Sequence, residues 1–204
     1  MQAQINPHFL FNSLNVIVSL TRTKPDRARS LLIALSKFFR QNLSATTKTV
    51  IPLREELKHV KSYLLIEQTR FEDKLQVDYE VDEHALNARI APLTLQPLVE
   101  NCIKHGLRNK DGVGKVLVRI LEQEDGVQVL VEDNGVGIHR DDLVNLGVET
   151  VHSTEGTGLG IYNVNKRLEL MYGLRSTLHI QSKPGEGTAI SFVIPKHPEE
   201  EHYE

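Results

Sequence analysis

The apolar positions of the first third of the chain recur at helical spacing. Ile5, Phe9, Val16 and Leu20 fall on one face, and His8, Asn12, Asn15 and Ser19 fall on another. Lys24-Pro25-Asp26 interrupts the pattern, with Pro25 suited to the first turn of a new helix. A second amphipathic helix follows, and Ala28, Leu31, Leu32, Leu35, Phe38, Phe39 and Asn42 mark its inner side. Two helices joined by so short a turn predict a helical hairpin. Alone, a hairpin leaves apolar surface uncovered, and pairing with a second copy into a four-helix bundle is the simplest cover.

Ser44 to Lys48 is small and polar, a linker in character, and Leu53, Leu57, Val60, Leu64 and Phe71 then mark a third helix. Beyond it the period changes to two, as Leu75, Val77, Tyr79 and Val81 alternate with Gln76, Asp78, Glu80 and Asp82. A helix is predicted from Leu93 to Leu107, then strands around Lys115–Leu121 and Val127–Glu132 with a turn near Gly126. An irregular stretch from Gly135 to Gly158 leads into a helix over Ile161–Met171. Strands over Thr177–Ser182 and Thr188–Ile194, joined by Pro184-Gly185-Glu186-Gly187, close the pattern. The fold class is α+β: a helical hairpin, then an α/β sandwich with helices on one face of a mixed or mostly antiparallel sheet. The division runs 1–48, 49–196 and an acidic tail over 197–204. Irregular stretches as long as the one after Gly135 are usually lids or binding loops.

Composition narrows the classes. Without tryptophan, the core must be built from Leu, Ile and Val, and a net charge of -3 argues against a general nucleic-acid or anionic-membrane surface. Cys102 is the single cysteine, so no intrachain disulfide can form and a reducing compartment fits. No apolar run approaches the roughly 20 residues of a membrane span, and no signal peptide is visible.

Four segments carry candidate chemistry. On the predicted helix containing Glu100-Asn101-Cys102-Ile103-Lys104-His105, the apolar stripe is Leu95, Leu98, Val99, Cys102 and Ile103. That leaves Asn101, Lys104, His105 and Arg108 on another face. An amide oxygen for Mg²⁺ beside cationic groups could seat a triphosphate, although taken alone a solvated helix face accounts for the segment better. Asp133-Asn134-Gly135-Val136-Gly137 follows a strand, where the carboxylate could accept from an exocyclic amine and the glycines admit a flat ring. Read alone, it is an ordinary turn. Gly156-Thr157-Gly158-Leu159-Gly160 opens a helix and bares backbone N–H groups to an anion, with the spacing of neither a Walker A loop nor a dinucleotide fingerprint. In Gly185-Glu186-Gly187-Thr188, Thr188 could donate its hydroxyl into a base pocket, or the segment is only a hairpin turn.

In order and spacing the four together resemble the N, G1 and G2 boxes of the GHKL (Bergerat-fold) ATPase superfamily over roughly residues 50–195. The resemblance implies an ATP site in which Asn101 ligates Mg²⁺, with Lys104 and His105 beside it. Asp133 would read the adenine amine, Gly135 and Gly137 would shape the base pocket, and Gly156, Gly158 and Gly160 would lie against the phosphates. Residues between Ile138 and Gly156 would form the lid. The segment Gln4-Ile5-Asn6-Pro7-His8-Phe9-Leu10-Phe11-Asn12-Ser13-Leu14-Asn15 resembles the phosphoacceptor box of LytS/YehU-type sensor histidine kinases.

That second resemblance implies ATP-dependent autophosphorylation on His8, relay to the aspartate of a response-regulator receiver domain, and a homodimer through the N-terminal helices. It also implies a cytoplasmic kinase portion whose full-length parent is anchored in the bacterial inner membrane. The residues support His8 independently, since it lies on the polar stripe with Asn12 and Asn15, and Pro7 predicts a kink beside it. An imidazole is mostly neutral at pH 7, so it needs a strong base less than a hydroxyl acceptor does. Phe9 stands where many histidine kinases carry an acidic residue, which leaves Glu100 as the nearest base or orienting group. The alternative is a GHKL ATPase without histidine transfer, in which Glu100 would activate water; the box around His8 argues against it.

Overall fold

The computed structural model describes residues 7–45, 48–107, 110–139 and 157–196. Helix α1 (Pro7–Thr23) and helix α2 (Pro25–Ala45) form the expected hairpin, and each begins on a proline, whose missing N–H costs nothing in a first turn. Pro7 is the first residue of α1, and the residues before it that an expected kink would involve lie outside the described residues. Helix α3 (Leu53–Phe71) follows the two-residue strand β1 (Ile51–Pro52), which pairs with β3 (Arg89–Ile90).

Of the expected inner stripe, Phe9, Leu20, Ala28, Leu31, Leu35, Phe38 and Asn42 are buried and Val16 and Phe39 half-buried, in a core that α3 of the same chain helps to form, while Ile5 lies outside the described residues. Phe9, Ile17, Leu20, Ala28, Leu31, Ala34, Leu35 and Phe38 join one core with Tyr63, Leu64 and the rest of α3. The Phe9 ring sits 5.2 Å from those of both Phe38 and Tyr63, so three helices meet at one aromatic cluster. Leu32 departs from its expected inner position and is exposed. What stays exposed are Phe11, Leu14 and Val18 on one face of α1, and Leu32 and Ile33 on α2.

Strands β2 (Leu75–Val81), β4 (Gly114–Gln123), β5 (Gly126–Asp133), β6 (His179–Lys183) and β7 (Gly187–Pro195) form one sheet in the order β2-β4-β5-β7-β6. Only β2 and β4 run parallel; the other neighbours are antiparallel. Along β4, Val116, Val118 and Ile120 are buried while Lys115 is exposed and Leu117 and Arg119 are half-buried, so one face is covered and the other meets water. The cover comes from α3, from α4 (Leu95–Asn101) and from α5 (Thr157–Tyr172). Leu95, Leu98, Val99, Ile161, Val164 and Leu168 are buried there, each worth about 1.5–3 kcal/mol of transfer free energy. The sheet is thus mixed, as the alternation predicts, with the helical layer on one side.

Candidate active site

Asp133 ends β5, the central strand, paired with Val116 of β4 on one side and Thr188 of β7 on the other. Its carboxylate is buried and accepts the Gly135 N–H at 2.8 Å. Burial pushes this carboxyl above the usual aspartate range, opposed by hydrogen bonds from the Gly135 N–H, the Cys102 thiol and the Thr188 N–H. The next residues are wedged between two elements. Val136 N–H donates to Gly106 O at 2.9 Å, and Gly185 N–H donates to Val136 O at 2.7 Å. A side chain at Gly137 would run into the Lys183 carbonyl, and its φ of 69° is one that L residues rarely adopt. Asn134 ties the end of β5 to the start of β4, accepting from Lys115 N–H at 2.7 Å.

Thr188 Oγ1 lies 2.9 Å from Ser182 Oγ, which donates to Gly187 O at 2.8 Å and accepts the Ile138 N–H at 2.9 Å. With the Ser182 proton committed to Gly187, the Thr188 hydroxyl donates to Ser182 and not, as expected, into the base pocket, to which it can offer only lone pairs. Two residues unmarked by the sequence therefore belong to this corner. One is Ser182, which orients Thr188. The other is Gly106, where a β-carbon would stand 2.5 Å from Asp133 Oδ1. A glycine inside a helical pattern was the available signal for the latter.

The helix carrying Asn101 is shorter than the predicted Leu93–Leu107 span. After α4 the chain continues as a π-helical segment, Cys102–Leu107. Such wide turns cluster at functional sites. Here it delivers Gly106 to Asp133, and it replaces the regular spacing that placed Lys104 and His105 one turn from Asn101. All three are half-buried; Arg108 lies outside the described residues. Glu100 has both oxygens engaged, accepting from Lys104 Nζ at 2.7 Å and from Gln96 Nε2 at 2.8 Å.

The start of α4 is capped from another helix. Thr94 makes no side-chain cap; instead Glu56 of α3, 0% exposed, accepts the N–H groups of Leu93 at 2.7 Å, Thr94 at 3.0 Å and Leu95 at 2.9 Å. Burial raises the Glu56 carboxyl, against those donors and the Arg167 guanidinium. Arg167 of α5 donates to Pro92 O at 2.6 Å and Leu93 O at 3.4 Å. Further along α3, burial pushes Glu67 up to about 7, with Arg70 at 2.9 Å, the Tyr63 hydroxyl and the charges of Glu100 and Lys104 as the other influences.

His8 is exposed on the first turn of α1, and Asn12 Nδ2 lies 3.2 Å from both ring nitrogens. Its neighbour Phe9 is the anchor on Tyr63, so the helix bearing His8 rests on α3, and α3 in turn packs on the helix bearing Asn101. Gly158 and Gly160 fall in the opening turns of α5; Gly156 lies outside the described residues. A methyl at Gly160 would meet only Pro97, at an ordinary 3.8 Å, so packing within the chain does not demand glycine there.

A carboxylate at the end of the central strand, a glycine-framed turn beside it, and a one-sided helical layer define a Bergerat-type ATP-binding sandwich. The family described as histidine kinase-, DNA gyrase B- and HSP90-like ATPase matches residues 90–198, more than half of the chain, and the chain belongs to it. Residues 1–75 match the Histidine kinase family. The "Sensor protein LytS" of Bacillus cereus is 45% identical over 201 residues, covering 98% of this chain and 34% of that protein. That of Bacillus subtilis is 43% identical over 195 residues, covering 96% and 33%. The chain thus spans about a third of the length of these relatives. Among solved structures, the histidine kinase domain from Erythrobacter litoralis EL346 blue-light activated histidine kinase superposes with a TM-score of 0.55 at 19% identity, covering 93% of each chain. The catalytic domain of histidine kinase ThkA reaches 0.54 at 21% identity, covering 74% of this chain and 98% of its own. At these identities the structural matches speak for the fold.

Proposed function

We propose that this chain is the kinase portion of a two-component sensor histidine kinase, which binds Mg-ATP in its sandwich and phosphorylates His8. The observation that carries the reading is the joint presence, on one chain, of an exposed His8 in its phosphoacceptor box and a buried Asp133 at the end of the central strand. Asp133 accepts the adenine amine, Gly135 and Gly137 keep the pocket wall free of side chains, and Thr188, oriented by Ser182, completes the base end. Asn101 holds magnesium together with the phosphates. A magnesium ion there would complete its shell with phosphate oxygens and water. Magnesium would contribute neutralisation of charge on the transferring group. Gly156, Gly158 and Gly160 lie against the phosphates, where the open approach to Gly160 fits a ligand rather than a side chain.

In the reaction a neutral nitrogen of His8 attacks the γ-phosphorus. An N–P bond forms as the bond to the bridging oxygen breaks, ADP leaves, and the ring proton passes to solvent. Glu100, which accepts from Lys104 and Gln96, is the nearest carboxylate to relay that proton or to orient the acceptor, and Lys104 and His105 face the phosphates. The phosphoramidate suits relay to an aspartate of a response-regulator receiver domain. The longer parent, by its likeness to sensor proteins, would be held at the inner membrane, although no helix among the described residues is long and apolar enough to cross one. Incubation with γ-labelled ATP and magnesium should give label that is lost in acid and kept in base; acid-stable label would overturn the reading.

Residues 1–48 also supply a homodimer. Phe11 and Val18, 65% and 69% exposed, share a face of α1 with Leu14; Leu32 and Ile33 of α2 are exposed as well, and a second hairpin would cover this apolar surface. Val18→Asp should halve the mass seen by sedimentation at micromolar concentration while leaving helix content unchanged. An unchanged mass would remove this face from the interface.

A further inference from the structure

Two charged side chains from different helices, Glu56 fully buried and Arg167 half-buried, hold the loop that begins α4, and neither belongs to any of the four boxes. Glu56 of α3 accepts three successive N–H groups, of Leu93, Thr94 and Leu95. Arg167 of α5 donates to the carbonyls of Pro92 and Leu93. The loop between them needs holding, because Leu93 has a φ of 58°, unfavourable for a branched, non-glycine residue. Seven residues before Arg167, about two turns along the same face of α5, Gly160 faces Pro97 of α4, where a β-carbon would fit at an ordinary 3.8 Å. Val164 between them is fully buried. The clamp thus fixes both the point where the helix of Asn101 starts and its separation from the helix that opens with Gly158 and Gly160.

We propose that Glu56 and Arg167 are positioning residues for the phosphates: they set the gap between the magnesium-binding helix and the glycine-rich helix start, and leave the base pocket alone. The base pocket is built from other attachments, namely Asp133 on Gly135 and Gly106, Val136 on Gly106, and Ser182 on Thr188. A loosened clamp widens the phosphate end without moving these. A clamp that served stability alone would weaken every ligand alike, or none.

The inference rests on the nucleotide reading given above, and one titration set separates the two. Mg-ATP and adenosine are titrated separately into the wild-type chain, Arg167→Gln and Arg167→Lys, below the melting temperature of each. Arg167→Gln should bind Mg-ATP about tenfold more weakly and adenosine within about twofold of wild type. Arg167→Lys keeps the charge but loses the two-pronged donor geometry, and should lose about threefold for Mg-ATP alone; should the glutamine variant fail to fold, this milder one decides. Parallel losses for both ligands, or no loss for either, overturn the clamp while the wild-type preference for Mg-ATP keeps the nucleotide reading intact. A wild-type chain that binds Mg-ATP no more tightly than adenosine overturns both.

Discussion

His8→Gln should incorporate less than about 1% of the wild-type label from γ-labelled ATP, because the substituted amide offers no nucleophilic nitrogen. Its Mg-ATP affinity should stay within about twofold of wild type. The separation of the two effects follows from where the side chain sits. His8 is exposed on the first turn of α1, whereas the anchoring of that helix is the task of Phe9, buried against Phe38 and Tyr63. Glutamine is polar, unbranched and a good helix former, so neither the helix nor the aromatic cluster loses a contact that matters. Calorimetry with a non-hydrolysable ATP analogue, alongside the labelling assay, checks both halves. Label that persists in the variant relocates the acceptor; label and nucleotide binding lost together would mean that His8 belongs to the ATP site itself.

Most of the architecture was written in periodicity. The two-residue alternation from Leu75 to Val81 became an edge strand, and the inner stripe from Phe9 to Phe38 became core, because burial selects faces and faces are set by spacing. The hairpin shows where such reasoning stops. Spacing says that a stripe must be covered but not by what, and here α3 of the same chain covers it, leaving Phe11 and Val18 as the uncovered surface. Leu32 lies at the border between the two faces, which is why its expected inward position failed.

The site was legible wherever a box of adjacent residues carried it and hidden wherever the contact was long-range. Asp133 and Gly135 are two residues apart and their hydrogen bond is a property of the turn. Glu56 caps a helix that begins 39 residues later, and Arg167 reaches back 75 residues to Pro92; nothing in local spacing announces either partnership. The π-helical segment was equally invisible. A regular helix would have put the backbone of residue 106 elsewhere, and not against the packed carboxylate of Asp133. These unannounced contacts fix the helix carrying Asn101 at both ends.

Asp133→Asn should lower adenine-nucleotide affinity by about 100-fold, or roughly 2.7 kcal/mol, the scale expected when a charged acceptor for a buried hydrogen bond is lost. The volume is unchanged, so the geometry of the neighbours survives. If the amide oxygen keeps the Gly135 N–H, the amide nitrogen must face either Cys102 and Thr188 or the exocyclic amine, and two donors then oppose each other. Stability should change by less than about 1 kcal/mol, since the substitution also removes a carboxylate whose charge is disfavoured by burial. That same burial gives the wild type a signature the variant lacks. Because the Asp133 carboxyl is held above the ordinary aspartate range, it takes up a proton as the pH falls through its raised value, and the protonated acid no longer accepts with both oxygens. Wild-type affinity should therefore decline on acidification and converge on that of the variant, whose own affinity stays flat over the same range. Fluorescence titrations with a labelled ADP from neutral to acid pH would display the two curves. An affinity for Asp133→Asn equal to that of wild type at neutral pH would remove Asp133 from the base pocket.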